Sequence, residues 1–187
     1  MPGFELIGNE ELDQIINIFE KSNGVLFAHG FDERRNYIYR VREFESAIAE
    51  KLSVKHCLAT TSGTMAQYIA MRALGIKPGD EVITQAFTFV ATVETIVEIG
   101  ATPVIVDIDD SFNIDPIKLE KAISDKTKAI VPVHMLGNQC DMDAIMKIAS
   151  KYNIPVIEDA CEAMGAKYKN QYLGVVGDIG IFSLDFA

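Results

Sequence analysis

The chain has 187 residues, enough for one ordinary domain with a real core. Its 27 acidic residues outnumber 17 basic ones, giving a net charge of −10, which argues against a nucleic-acid backbone as partner. Met1–Asn17 lacks the basic and apolar regions of a signal peptide, and no apolar run approaches a membrane span. The expectation is a soluble, cytoplasmic protein with neither a nucleic-acid nor a membrane partner.

Glu10–Lys21 places Leu12, Ile15, Ile16 and Phe19 on one helical stripe, and Ser22-Asn23-Gly24 ends it with turn chemistry. Val25–Tyr39 is irregular and mixes Phe27, Phe31, Tyr37 and Tyr39 with Arg34 and Arg35. Such a loop suits an anionic or sugar-like ligand, or is a surface loop with solvated arginines. His29 stands alone there, so a metal role lacks partners. Val41–Leu52 is a second helix, with Phe44, Ala47, Ile48 and Leu52 on one face. Lys55–Ala59 reads as a short strand, and Thr60-Thr61-Ser62-Gly63-Thr64 as a tight polar turn. A helix follows through Met65, Tyr68, Ile69, Ala73 and Leu74. That turn is either an anion site made of free backbone N–H groups and hydroxyls, or a plain N-cap by Ser62 or Thr64. It matches neither GxxxxGK nor GxGxxG, which argues against a nucleotide-binding domain of those kinds.

Lys77-Pro78-Gly79-Asp80 is a turn and Glu81–Thr84 a strand. Gln85–Phe89 connects it to a helix from Val90 to Ile99. Phe87 and Phe89 lie just past the strand end, where one can stack on a planar ring or pack in the core. Pro103–Val106 is a strand ending at Asp107. Asp115-Pro116 opens the helix Ile117–Ile123. Ala129–Val133 is a strand with His134 at its end. Asp141 caps a helix through Met142, Ile145, Met146 and Ala149. Val156-Ile157 is a short buried strand that stops at Glu158 and Asp159. One of these acids faces a bound group, or both cap the following segment. Tyr168–Tyr172 suggests a hairpin, and Ile179–Ala187 is an apolar strand-like run. Cys57, Cys140 and Cys161 are odd in number and form no CxxC, so they read as free thiols of a reducing compartment.

Strands and helices alternate from residue 55 to about 158, the pattern of a mostly parallel sheet with helices on both faces. The run has no polar tail, and the expectation is that the chain is part of a longer protein.

Several short pieces occur in a telling order. They are Ser62-Gly63-Thr64, Gly79-Asp80-Glu81-Val82, Phe87-Thr88-Phe89-Val90-Ala91-Thr92, Gly100-Ala101-Thr102-Pro103-Val104, Val131-Pro132-Val133-His134, Asp141-Met142-Asp143, Glu158-Asp159-Ala160 and Gly177-Asp178-Ile179-Gly180-Ile181-Phe182-Ser183. As an ordered set they resemble the sugar aminotransferases of the DegT/DnrJ/EryC1/StrS family, fold-type-I enzymes that use pyridoxal 5′-phosphate (PLP). The resemblance implies that residues 1–187 hold an N-terminal segment and most of the large PLP-binding domain, without the C-terminal small domain.

The resemblance also implies roles. Ser62, Gly63 and Thr64 would hold the cofactor phosphate, with Ser183 adding a contact. Phe89 would stack on the pyridine ring, and Asp159 would pair with its protonated nitrogen. Glu162 stands where the family usually has glutamine facing the phenolic oxygen. A carboxylate there repels a phenolate unless one is protonated, so Glu162 either tunes the cofactor or turns away. By the family spacing the covalent lysine comes directly after Ala187, so residues 1–187 contain no catalytic residue of that kind. The implied reaction moves an amino group from an amino acid, glutamate in most relatives, to a keto sugar. The opening Pro2-Gly3-Phe4-Glu5-Leu6 resembles the branch acting on an eight-carbon keto sugar acid. The implied assembly is a homodimer, with Arg34, Arg35 and Tyr37 as candidates to hold an anionic substrate group. Rival readings are a dehydratase of the same family, with histidine replacing the lysine, and a non-catalytic protein of this fold.

Overall fold

A computed structural model describes residues 7–27 and 29–185. The opening Pro2–Leu6 and the last two residues, Phe186 and Ala187, lie outside the described residues. The chain divides into two compact units, one reaching up to Ala59 and one covering Thr60–Leu184.

The first unit holds α1 (Asn9–Ser22) and α2 (Arg40–Leu52). Each ends on a residue in the left-handed region, Asn23 at φ 51° and Ser53 at φ 57°, so the turn signal after Lys21 ends the helix as expected. The apolar stripe of α1 is exposed: Leu12, Ile15, Ile16 and Phe19 all face outward. Lys55–Ala59, expected as a strand, forms no strand among the described residues. Its Ala59 N–H donates instead to the Glu45 carboxylate at 2.9 Å. An extended segment becomes a strand only when a ladder partner lies beside it.

The second unit is built from α3 (Gly63–Ala73), β1 (Glu81–Gln85), α4 (Val90–Glu98), β2 (Thr102–Val106), α5 (Pro116–Ala122), β3 (Thr127–Val131), α6 (Met142–Tyr152), β4 (Ile157–Asp159), β5 (Lys167–Tyr168), β6 (Gln171–Tyr172) and β7 (Ile179–Ile181). β1 pairs in parallel with both β2 and β3, and β4 pairs in parallel with β7. Two parallel bridges, Ile130 to Val156 and Val133 to Asp159, join these halves. The result is one parallel arrangement in the order β2-β1-β3-β4-β7. β5 and β6 form the antiparallel hairpin expected around Tyr168–Tyr172. The run beginning at Ile179 is a strand only as far as Ile181.

Alternate strand residues feed opposite faces. Ile83, Ile130 and Val156 pack with Leu119, Met142, Ile145 and Ile148 of α5 and α6. Val82, Ala129, Val131, Ile157 and Ile181 pack with Ala70, Met71 and Ile96 of α3 and α4. Each fully buried Ile or Leu contributes roughly 2 kcal/mol through removal from water. Helices therefore cover both faces, and the strands are buried as a parallel sheet requires. Sharp starts help: Asp115 accepts from the Ile117 and Lys118 N–H groups, with Pro116 at the first helical position, and Asp141 accepts from Ala144.

The chain leaves β1 for β2 on one side, then crosses back to β3 on the other. That reversal makes the carboxyl ends of β1 and β3 a topological switch point, the place where open α/β sheets bind ligands.

Candidate active site

Gln85 closes β1 at this switch point and has no exposure to solvent. Its Oε1 accepts from Val133 N at 3.1 Å and Ile114 N at 3.2 Å, while its Nε2 donates to Phe87 O at 2.8 Å. One amide thus ties together the segments following β1, β2 and β3. Asn113 extends the tie, accepting from Met135 N at 3.1 Å. The Phe87 ring meets Phe112 edge-on at 6.0 Å between centroids. Phe89 is the N-cap of α4, and its ring is 66% exposed. Both phenylalanines past this strand end are exposed, Phe89 the more so, and Phe87 has the Phe112 ring as a neighbour.

Glu158 and Asp159, adjacent on β4, point to opposite faces and meet different surroundings. Glu158 is fully buried. It accepts from Gly177 N at 2.8 Å, Val176 N at 2.9 Å and also Gly174 N. Its Oε1 lies 2.9 Å from His134 Nε2. His134 Nδ1 accepts from Cys140 N at 3.1 Å, so the ring proton sits on Nε2 and is donated to Glu158. Burial alone would raise the Glu158 carboxyl, but His134 and the loop N–H groups outweigh it and hold the group below its ordinary value. Every hydrogen bond given for the Glu158 carboxylate is to this chain's own groups.

Asp159 is 5% exposed, and burial pushes its carboxyl up. Its Oδ1 accepts from Cys161 N at 3.1 Å and its Oδ2 from Thr92 Oγ1 at 3.4 Å. These donors oppose the effect of burial but supply no countercharge. A buried carboxylate of this kind suits a cationic partner.

α3 begins against the same edge. Ser62 is its N-cap, accepting from Met65 N at 3.1 Å. The plain capping role is thus filled by Ser62. A Cβ placed on Gly63 would lie 2.9 Å from Cys161 Sγ and 3.5 Å from Ser183 Cβ. Only glycine lets the α3 terminus approach so closely. The contact brings Ser62, Gly63 and Thr64 beside Ser183 and next to the residues following Asp159. First-turn N–H groups and hydroxyls there suit a phosphate.

Glu162 is exposed, and its Oε2 accepts from Leu136 N at 2.6 Å. Leu136 sits in the left-handed region at φ 55°, within the short 3-10 turn Met135–Gly137. The Glu162 carboxylate thus anchors the segment following β3.

The remaining candidates belong to the first unit. Arg35 is buried, and its guanidinium donates to Phe27 O at 2.6 Å and to Val25 O and Gly30 O at 3.4 Å. Its fork is occupied by the loop's own carbonyls, and its plane lies 4.5 Å from the Tyr39 ring centre. Arg34 is exposed. Tyr37 lines an open depression of about 470 Å³ with Tyr39, Arg42, Glu43, Ser46, Ala47 and Glu50. Of the three, Arg34 and Tyr37 have side chains open to a ligand.

Gln85, Thr92 and His134 matter more than their sequence context suggested. A polar residue closing an apolar strand was the signal for Gln85. The four-residue step from Thr88 to Thr92, across a helix start, was the signal for Thr92. The donor set as a whole fits a planar, cationic heterocycle bearing a phosphate: helix N–H groups, an exposed aromatic face and a buried carboxylate on one edge of one unit.

Known proteins point the same way. Over 132 residues the chain is 52% identical to a UDP-2-acetamido-2-deoxy-3-oxo-D-glucuronate aminotransferase of Pseudomonas aeruginosa, covering 70% of this chain and 37% of that one. A solved aminotransferase from Psychrobacter cryohalolentis superposes with a TM-score of 0.84 at 41% identity, covering 94% of this chain and 42% of that one. An E. coli GDP-4-keto-6-deoxy-D-mannose-3-dehydratase with bound hydrated PLP superposes at 0.82 and 30% identity, covering 95% and 44%. The chain spans about two fifths of the length of the curated relatives it matches. PLP, or its amino form, is the cofactor in solved relatives of this kind. Residues 34–185 match one family throughout, and the chain belongs to the DegT/DnrJ/EryC1/StrS aminotransferase family.

Proposed function

We propose that this chain is the cofactor-binding part of a PLP-dependent aminotransferase that moves an amino group from an amino acid, glutamate first among candidates, onto a keto sugar. The keto sugar is nucleotide-linked or an eight-carbon sugar acid, and the product serves cell-surface polysaccharide such as lipopolysaccharide. The observation that carries this reading is the approach of Gly63 to Cys161 and Ser183, beside a buried Asp159 carboxylate. In it, Ser62, Gly63, Thr64 and Ser183 hold the phosphate, and Phe89 covers one face of the ring. Asp159 faces the ring nitrogen and keeps its proton in place. Bound there, PLP supplies an electron sink for the carbon that loses or gains the amino group. Glu162, held by Leu136 N–H, stays on that segment rather than against the phenolic oxygen. Arg34 and Tyr37 are the substrate candidates that remain after Arg35. The coverage of two fifths supports reading residues 1–187 as an N-terminal segment plus most of a large domain, with a small C-terminal domain belonging to the whole protein. We place that protein in the cytoplasm as a homodimer. No helix among the described residues is long and apolar enough to cross a membrane.

The test uses the protein purified at its native length, with PLP, glutamate and a panel of keto sugars. Formation of 2-oxoglutarate matched by an aminated sugar supports the reading. The dehydratase relative favours a second reading, in which a deoxygenated keto sugar forms and no nitrogen is transferred. Absence of both products, and of any PLP binding, would remove the enzyme reading altogether.

A further inference from the structure

Thr92 is buried in the first turn of α4, and its hydroxyl lies within reach of two partners. One is Asp159 Oδ2 at 3.4 Å, and the other is Thr88 Oγ1 at 2.8 Å. A hydroxyl has one proton. An ionised carboxylate only accepts, so the Thr92 proton goes to Asp159. The bond between the two threonines then has one possible direction, with Thr88 donating to Thr92. The chain of donors runs from Thr88 to Thr92 to Asp159, and each member polarises the next. The Thr92 backbone is also held, because its carbonyl accepts from the buried Gln67 Nε2 at 3.1 Å. The other oxygen of Asp159 is fixed by Cys161 N–H. Both carboxylate oxygens are therefore oriented by this chain's own groups.

We propose that Thr92, with Thr88 donating to it, is a positioning residue that keeps the Asp159 carboxylate ionised and aimed at the cofactor's ring nitrogen. This rests on the reading of Asp159 given above. Burial works against the charge on Asp159, and a neutral Asp159 would offer the ring nitrogen a donor instead of the negative charge that holds its proton. The titratable groups around Asp159 are the Cys161 thiol on the following segment, the Cys140 thiol, and His134 with its partner Glu158. Among these groups and the threonines, Thr92 donates to Oδ2 from another element, and it can be removed without changing shape.

The experiment compares Thr92→Val, Thr92→Ser, Thr88→Val and Asp159→Ala in the purified protein at native length. Two readouts are independent of turnover. One is the Asp159 carboxyl titration, followed by carbon-13 NMR of the apoprotein. The other is the PLP dissociation constant. Thr92→Val should raise the Asp159 titration midpoint and weaken PLP about tenfold, the scale of one hydrogen bond to a charged group. Thr92→Ser should restore both, and Thr88→Val should shift both in the same direction by less. If Asp159→Ala weakens PLP while Thr92→Val moves neither readout, the threonine proposal is overturned and the Asp159 reading stands. If Asp159→Ala leaves PLP affinity unchanged, the Asp159 reading fails, and the proposal with it. Should Thr92→Val not fold, Thr88→Val and Thr92→Ser carry the test, and an unshifted Asp159 titration in Thr88→Val overturns the relay.

Discussion

Glu158 shows how an acid can sit at zero exposure without a formal counter-ion. Four donors, His134 Nε2 and the N–H groups of Gly174, Val176 and Gly177, stand in for water. Removing the carboxylate leaves all four unsatisfied, so Glu158→Ala should lose about 3 kcal/mol of stability in a urea titration. The pH dependence follows from the direction of its shift. The folded value lies below the unfolded one, so on acidification the unfolded state takes up the proton first. The stabilisation is present above about pH 4.5 and is lost as pH falls through the lower folded value. Glu158→Gln should melt with a flatter dependence than the parent over that acidic window. Gly63 is a second case at this scale. A methyl group there meets Cys161 Sγ at 2.9 Å, so Gly63→Ala should cost on the order of 1–2 kcal/mol by overpacking. Cys161→Ala in the same protein should recover much of it, and a double-mutant cycle measures the coupling.

Secondary elements were legible where local chemistry decides them. Asp115 with Pro116, and Asp141, announce α5 and α6 because a side-chain oxygen beside free N–H groups is a local arrangement. Asp115→Ala and Asp141→Ala should each cost about 1 kcal/mol in thermal unfolding. Lys55–Ala59 departs from the strand expected there for the opposite reason: its pattern suits a strand, but strand formation depends on what lies alongside. The candidate site was legible in the same uneven way. Asp159, Gly63 and Ser183 announce themselves by type and order. Gln85 and Thr92 do not, since their importance comes from partners far away in sequence: Ile114 and Val133 lie 29 and 48 residues from Gln85, and Asp159 lies 67 from Thr92. Arg35 was grouped with Arg34 by type, yet the fold turns one inward to the carbonyls of its own loop and leaves the other outside.

Over the whole molecule the three cysteines give a map of access. Cys140 is buried, and burial pushes its thiol far up. Cys161 is half-buried and shifted the same way by burial and by the Asp159 charge. Cys57 is half-buried and raised by burial and Glu45. Thiolate is the reacting form, so all three should be slow toward iodoacetamide at neutral pH. Cys140 should be modified only on unfolding of the second unit, and mass spectrometry of timed samples reads the order. PLP should slow Cys161 further, since Cys161 follows Asp159 and touches Gly63.

β4 carries one further consequence. Its three residues pair Ile157 with Ile179, Glu158 with Gly180 and Asp159 with Ile181. A side chain on Gly180 would overlap the Gly174 backbone, so the turn that feeds Glu158 can close only over glycine. If the strand slipped by a single residue, every side chain would change face. Slipped one way, Glu158 would take the place of Asp159 in the site and leave Ile157 facing the four donors; slipped the other way, Asp159 would enter the cage and Ala160 would take its place. Glu158 thus works as a key that fits in one alignment alone, and it proofreads which of two neighbouring carboxylates the site receives.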